Sequence, residues 1–149
     1  MEIKDFITDL QSSDKDVLFD VTEQIINLFD SYAKIDEHEY VMLMNSIILK
    51  CTACEIQEDR ETFEHLLDAL ERGLTRVVHQ DGVNVVNFEP LIEVFSNGQF
   101  SDIFDILVII LGYSLQPKYI DYLSTIETND SSLKKEINDA IFELKYSKY

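Results

Sequence analysis

The sequence predicts an all-α fold, either a single-domain helical bundle or a short α-solenoid spanning residues 1–149. Three observations carry that expectation. Apolar residues recur every three or four positions in one stretch after another, the spacing that gives a helix a single apolar face. Helix-start residues and Gly or Asn stop signals punctuate those stretches at short intervals. With only 4 Gly and 2 Pro there is no flexible linker, and 46% hydrophobic residues are enough to fill one core.

Ile3, Phe6, Ile7 and Leu10 define a short first helix, which Ser12 and Ser13 interrupt. Ser13 with Asp16 has the spacing of a capping box, in which side chains satisfy the free amides of a helix start. Val17, Val21, Ile25, Leu28 and Tyr32, widened by Leu18 and Phe29, predict a second helix from Asp14 to Ala33. A third starts at Asp36 or Glu37, where acids suit the positive end of the helix dipole, and runs along a seam of Tyr40, Met44, Ile47, Cys51 and Cys54.

Cys51 and Cys54 continue that apolar stripe, so both are expected in the core. Zinc would need a second cysteine pair or clustered histidines, and His38, His65 and His79 are scattered. A redox pair would open a helix after a strand. No metal or cofactor is expected. The fourth helix, Asp59 to His79, turns Phe63, Leu67, Leu70, Leu74 and Val77 inward and Glu61, Glu64, Asp68 and Glu71 outward.

Asp81-Gly82 is a turn signal flanked by valines, which leaves a loop and a small β-hairpin both open at this point. Glu89 to Asn97 is a short helix with Pro90 in its first turn and Asn97-Gly98 as its stop. Ser101 is placed to cap the next helix. From Ile103 the run IFDILVIIL is apolar on nearly every side, so neighbours must cover both flanks. Gly112 is placed to end it in the left-handed conformation. Pro117 opens a helix facing inward with Ile120, Leu123 and Ile126. Asn129-Asp130-Ser131 then caps the last helix, which buries Leu133, Ile137, Ala140, Ile141 and Leu144.

The net charge of −17 limits the choice of partner. Such a surface repels phosphate backbones and anionic lipid, which argues against nucleic-acid and membrane binding. Residues 1–75 hold 18 acids and 6 bases, against 11 and 6 in residues 76–149, so a basic partner is steered to the N-terminal half. The densest acidic surface comprises Glu55, Glu58, Asp59, Glu61, Glu64, Asp68 and Glu71. Tyr113, Tyr119 and Tyr122 cluster further on, as packing residues that also suit anchoring a protein partner. No glycine-rich phosphate loop, Ser-His-Asp arrangement or HExxH motif nominates an enzyme. The N-terminus resembles neither a secretory signal nor a transit peptide, and the two cysteines suit a reducing compartment. A cytoplasmic protein is therefore expected.

The stretch LVIILGYSLQPKYIDYL followed by NDSSLKKEINDAIFEL, within 103–146, resembles HEAT-type helical repeats. Leu111-Gly112 matches the end of the buried helix, Pro117 the opening of the next, and Asp130, Leu133, Lys134 and Ala140 the start of the helix after that. A small acidic chain ending this way is similar to the immunity proteins of bacterial polymorphic toxin and contact-dependent inhibition systems. That resemblance implies binding of a cognate cationic toxin domain with occlusion of its active surface. The alternative is another acidic interaction module: an adaptor, a scaffold or a nucleic-acid-mimicking inhibitor.

Overall fold

The computed structural model of the chain describes residues 2–76 and 80–146. Among these, nine α-helices and two 3-10 turns pack into a bundle, and no strand is present. The N-terminal layer is α1 (Ile3–Leu10), α2 (Lys15–Asp30) and α3 (Glu37–Cys51). The short α4 (Cys54–Glu58) leads into α5 (Arg60–Thr75), which packs on α2 and α3 on one side and α7 on the other. After α6 (Glu89–Ser96), the C-terminal layer is α7 (Phe104–Gly112), α8 (Tyr119–Ser124) and α9 (Ser131–Tyr146), with α7 and α8 both packed on α9.

Aspartates start four of these helices. Asp14 accepts from the Asp16 and Val17 amides, Asp36 from Glu39, Asp59 from Thr62, and Asp130 from Ser132 and Leu133. Each satisfies backbone donors that have no partner within the first turn of a helix. Asp14 takes the role expected of Ser13, while Ser12 Oγ accepts from the Asp14 amide at 3.0 Å. The core between the layers is aromatic: Phe63 stacks on Phe100 with centroids 4.1 Å apart, and Phe95 packs edge-on to Phe104. On the other side of α5, Gly73 admits close approach. A Cβ there would lie 2.7 Å from Met44 Sδ and 2.9 Å from Phe29 Cε2, and the buried Tyr40 hydroxyl donates to the Gly73 carbonyl at 2.7 Å.

Several local expectations are corrected. Helix α2 ends at Asp30, not Ala33, and Tyr32, with φ 58°, leaves the apolar stripe for solvent. Val17 is also exposed. Cys51 closes α3 and is buried, but Thr52 and Ala53 form a turn, so Cys54 opens α4 and is exposed. The expected fourth helix does start at Asp59, which caps α5, but α5 ends at Thr75, and the last expected positions, Val77 and His79, lie outside the described residues. Ser101 begins a 3-10 turn, Ser101–Ile103, and makes no capping bond.

Gly82 is left-handed at φ 96° as its turn requires, but Val83–Val85 then form a 3-10 turn where a hairpin strand was one option. Valines 77 and 78, the other side of that option, lie outside the described residues. Of two buried glutamines nearby, Gln116 bonds carbonyls of this turn and Gln80 holds the backbone that leads into α3. Gln80 exchanges bonds with the Ile35 amide and carbonyl at 3.0 and 2.8 Å, and Gln116 Nε2 donates to the Val86 carbonyl at 2.7 Å.

Gly112 is the last helical residue of α7 and is not left-handed. Its value is closeness: a Cβ would lie 2.9 Å from Ala140 Cβ, so α7 and α9 touch where neither has bulk. The left-handed position in this turn is Leu115, φ 58°. Gly98, φ 79°, does follow α6 as expected. Among the described residues no helix is long and apolar enough to cross a membrane.

Candidate protein-binding surface

The acidic residues singled out in the sequence do not form one surface, because the break at Asp59 sets α4 off from α5, and successive turns of α5 face α2 and then α7 and α9. Asp59, Glu61, Glu64 and Asp68 line a groove of about 630 Å³ between α2 and α5, where α2 adds Asp16 and Glu23. Glu71, one turn further along α5, lines a second groove of about 500 Å³ on the C-terminal side. Glu55 and Glu58 are exposed on α4 and line neither.

In the α2–α5 groove much of the negative charge is already countered. Lys15 Nζ lies 2.7 Å from Asp59, Arg60 3.4 Å from Glu64, and Arg72 3.1 Å from Asp68 while also reaching Asp30 on α2. The Lys15 ammonium holds the Asp59 carboxyl below its ordinary range, helped by the Thr62 bonds. Asp16 and Glu61 make no ion pair among the described residues. Beside them stands Phe19, 53% exposed, its ring stacked on His65 with centroids 4.8 Å apart. His65 Nε2 lies 2.6 Å from Glu23 Oε1, which fixes the imidazole as the floor under the phenyl ring.

The second groove lies between α5, the end of α7 and α9. Glu71, Glu136 and Glu143 make no ion pair among the described residues, and Asp139 is 3.1 Å from Lys135. Burial, then Asp68 and Asp105, push the Glu71 carboxyl above its ordinary range, against the pull of Arg72 and Arg76. Burial, then Asp105, Asp130 and Asp139, do the same at Glu136.

The three tyrosines separate as well. Tyr113 is exposed and lines the second groove. Tyr119 is buried, its hydroxyl accepting from the Phe88 amide at 3.1 Å, so it is a packing residue and not an anchor. Tyr122 is half-buried against the core, and burial raises its hydroxyl's pKa. Among the described residues no three His, Cys, Asp or Glu side chains converge as metal ligands.

No family model, curated protein or solved structure significantly matches the chain. What it binds is therefore inferred from its own surface chemistry. Sequence patterning missed Phe19, Glu23 and His65 in the first groove, and Glu136 and Phe142 in the second. A signal existed for the aromatics: Phe19 and Phe142 fall on the polar sides of α2 and α9, where a solvated helix face has no use for a phenyl ring. The pairing of Glu23 with His65 joins positions 42 apart, which no local pattern encodes.

Proposed function

We propose that this protein is an immunity protein that binds a cognate cationic toxin domain and neutralises it by covering its active surface. The observation that carries the reading is the α2–α5 groove, where six carboxylates surround an exposed phenyl ring. Lysines and arginines of the partner meet Asp16 and Glu61 first, since the other four carboxylates already have cationic or imidazole neighbours on the protein. Charge complementarity sets the encounter rate, and Phe19 supplies the desolvated anchor that slows dissociation.

Co-expression with the toxin domain encoded beside this gene tests the reading. Protection of the cell and a stable complex are expected. Phe19→Ser combined with Asp16→Lys and Glu61→Lys should weaken binding by roughly ten-fold or more and flatten its salt dependence, with the helical circular dichroism retained. Glu64 and Asp68 are poorer probes, because reversing them also breaks the contacts to Arg60 and Arg72. Absence of both protection and a complex with the unaltered protein would defeat the proposal.

A further inference from the structure

The groove between α5, α7 and α9 has a floor of a different kind from the first. Ile109, Gly112 and Ala140 form it, and the close approach of Gly112 to Ala140 leaves it shallow and apolar between α7 and α9. Phe142 and Tyr113 stand at its margins, 61% and 49% exposed, and Phe142 packs on exposed Tyr146 with centroids 4.7 Å apart. Aromatic rings left in water beside an apolar trough are costly to solvate and are ready to be covered.

Its charge is one-sided. Glu71, Glu136, Asp139 and Glu143 line it, with no lysine or arginine among the lining residues. Glu71 comes from α5 and the other three from α9, so two helices direct carboxylates into the groove. Arg72 is paired with Asp68 and Asp30, Arg76 lies 3.9 Å from Asp30, and Lys135 pairs with Asp139 at 3.1 Å, which leaves Glu71, Glu136 and Glu143 with no ion pair among the described residues. These carboxylates do not converge closely enough for a metal ion. Carboxylates beside an apolar floor suit a cation carried on an aliphatic stem, whose methylenes can lie on the floor while its head reaches the acids.

We propose that this second groove is a docking site for an amphipathic cationic segment of a protein partner, which places a lysine or arginine head between Glu71 and Glu136 and an aliphatic side chain against Phe142 and Ile109. The assignment is independent of the α2–α5 reading, because the two grooves share no lining residue except through the α5 backbone that carries both. Its occupant needs both characters at once. A purely polar cation would leave Phe142 wet, and a purely apolar segment would leave the carboxylates unopposed.

The test uses the full chain and a short amphipathic peptide of leucine and lysine, with a serine–lysine peptide of equal charge as control. The leucine–lysine peptide should bind, shifting amide signals of 109–113 and 136–143 in NMR spectra. The serine–lysine peptide should bind roughly ten-fold more weakly or worse. Phe142→Ser and Glu71→Gln/Glu136→Gln should each weaken the leucine–lysine peptide by a similar factor, while Glu93→Gln/Glu127→Gln, which remove equal charge away from the groove, should not. Circular dichroism and melting confirm that each variant is folded. Equal affinity for the two peptides, signal shifts centred on α2, or unchanged binding by folded Phe142→Ser would each overturn the assignment. So would concentration-dependent dimerisation through Phe142 with no peptide binding, which would give the groove to a second copy of the chain.

Discussion

Cys51 is fully buried, and burial pushes its thiol up to about 12, whereas Cys54 is exposed three residues later. Only the thiolate reacts. A soluble disulfide reagent at neutral pH is therefore expected to label Cys54 alone in the native protein and both cysteines in denaturant. Cys54→Ser should abolish native labelling, and fast labelling of that variant would contradict the burial of Cys51. At Gly112 the neighbours a new methyl would meet are Ala140 Cβ at 2.9 Å and its Cα at 3.1 Å, neither of which can rotate away. Gly112→Ala should cost about 1–3 kcal/mol, read as a lower urea midpoint with unchanged slope. Gly98 meets nothing within 4 Å, so its constraint is the left-handed φ alone.

Helix α5 concentrates the conflict between holding the fold and presenting a surface. Asp59 accepts from the Thr62 amide, pairs with Lys15 on α2, and lines the first groove. Asp59→Ala removes cap and ion pair together and is expected to cost about 1 kcal/mol or slightly more, since capping aspartates are worth that much. Asp59→Asn keeps a capping oxygen and loses only the pair to the solvent-exposed Lys15 ammonium, so about 0.5 kcal/mol or less is expected from thermal melts. Similar losses in both variants would place the worth of Asp59 in its charge and not its cap. The Asp59 carboxyl is held below its ordinary range, so its stabilisation is present above the unfolded value and fades as pH falls through the native one.

For the molecule as a whole, the net charge of −17 opposes compaction. Raising ionic strength from about 0.01 M to about 1 M shortens the screening length from about 30 Å to about 3 Å. The ion pairs weakened by that change are largely exposed and worth little each. The melting temperature should therefore rise with salt, and a fall would mean that the Arg60 and Arg72 networks outweigh self-repulsion. Glu71 and Glu136 make the same point locally. Their raised pKa values mean that the native state binds their protons more tightly than the unfolded chain does. Their contribution to stability is full below the unfolded value and is lost as pH rises through the native one. Glu71→Gln/Glu136→Gln should melt roughly 1–3 °C above the parent at neutral pH, and the gap should close at about pH 4 and below. A gap that persists in acid would assign the gain to packing.

The sequence by itself determined the helical class, the inward stripes of α3, α5 and α9, the Asp130 cap and the stop at Gly98, because helix periodicity and termini are local and repeat within a few residues. Cys54 and Tyr32 misled because an apolar period continues on paper across a break in the helix, and nothing in the spacing marks Thr52 or Ser31 as the place where the chain turns. Tertiary structure alone decided the rest. It replaced a left-handed glycine at 112 with a glycine of close approach, tied the Val83 and Val86 carbonyls to Gln116 and the Ile35 backbone to Gln80, and sent Glu64 and Glu71, seven positions apart on one helix, into different grooves. Which helix packs against each side of α5 decides whether a carboxylate meets an arginine or an empty trough, and that neighbour comes from far along the chain.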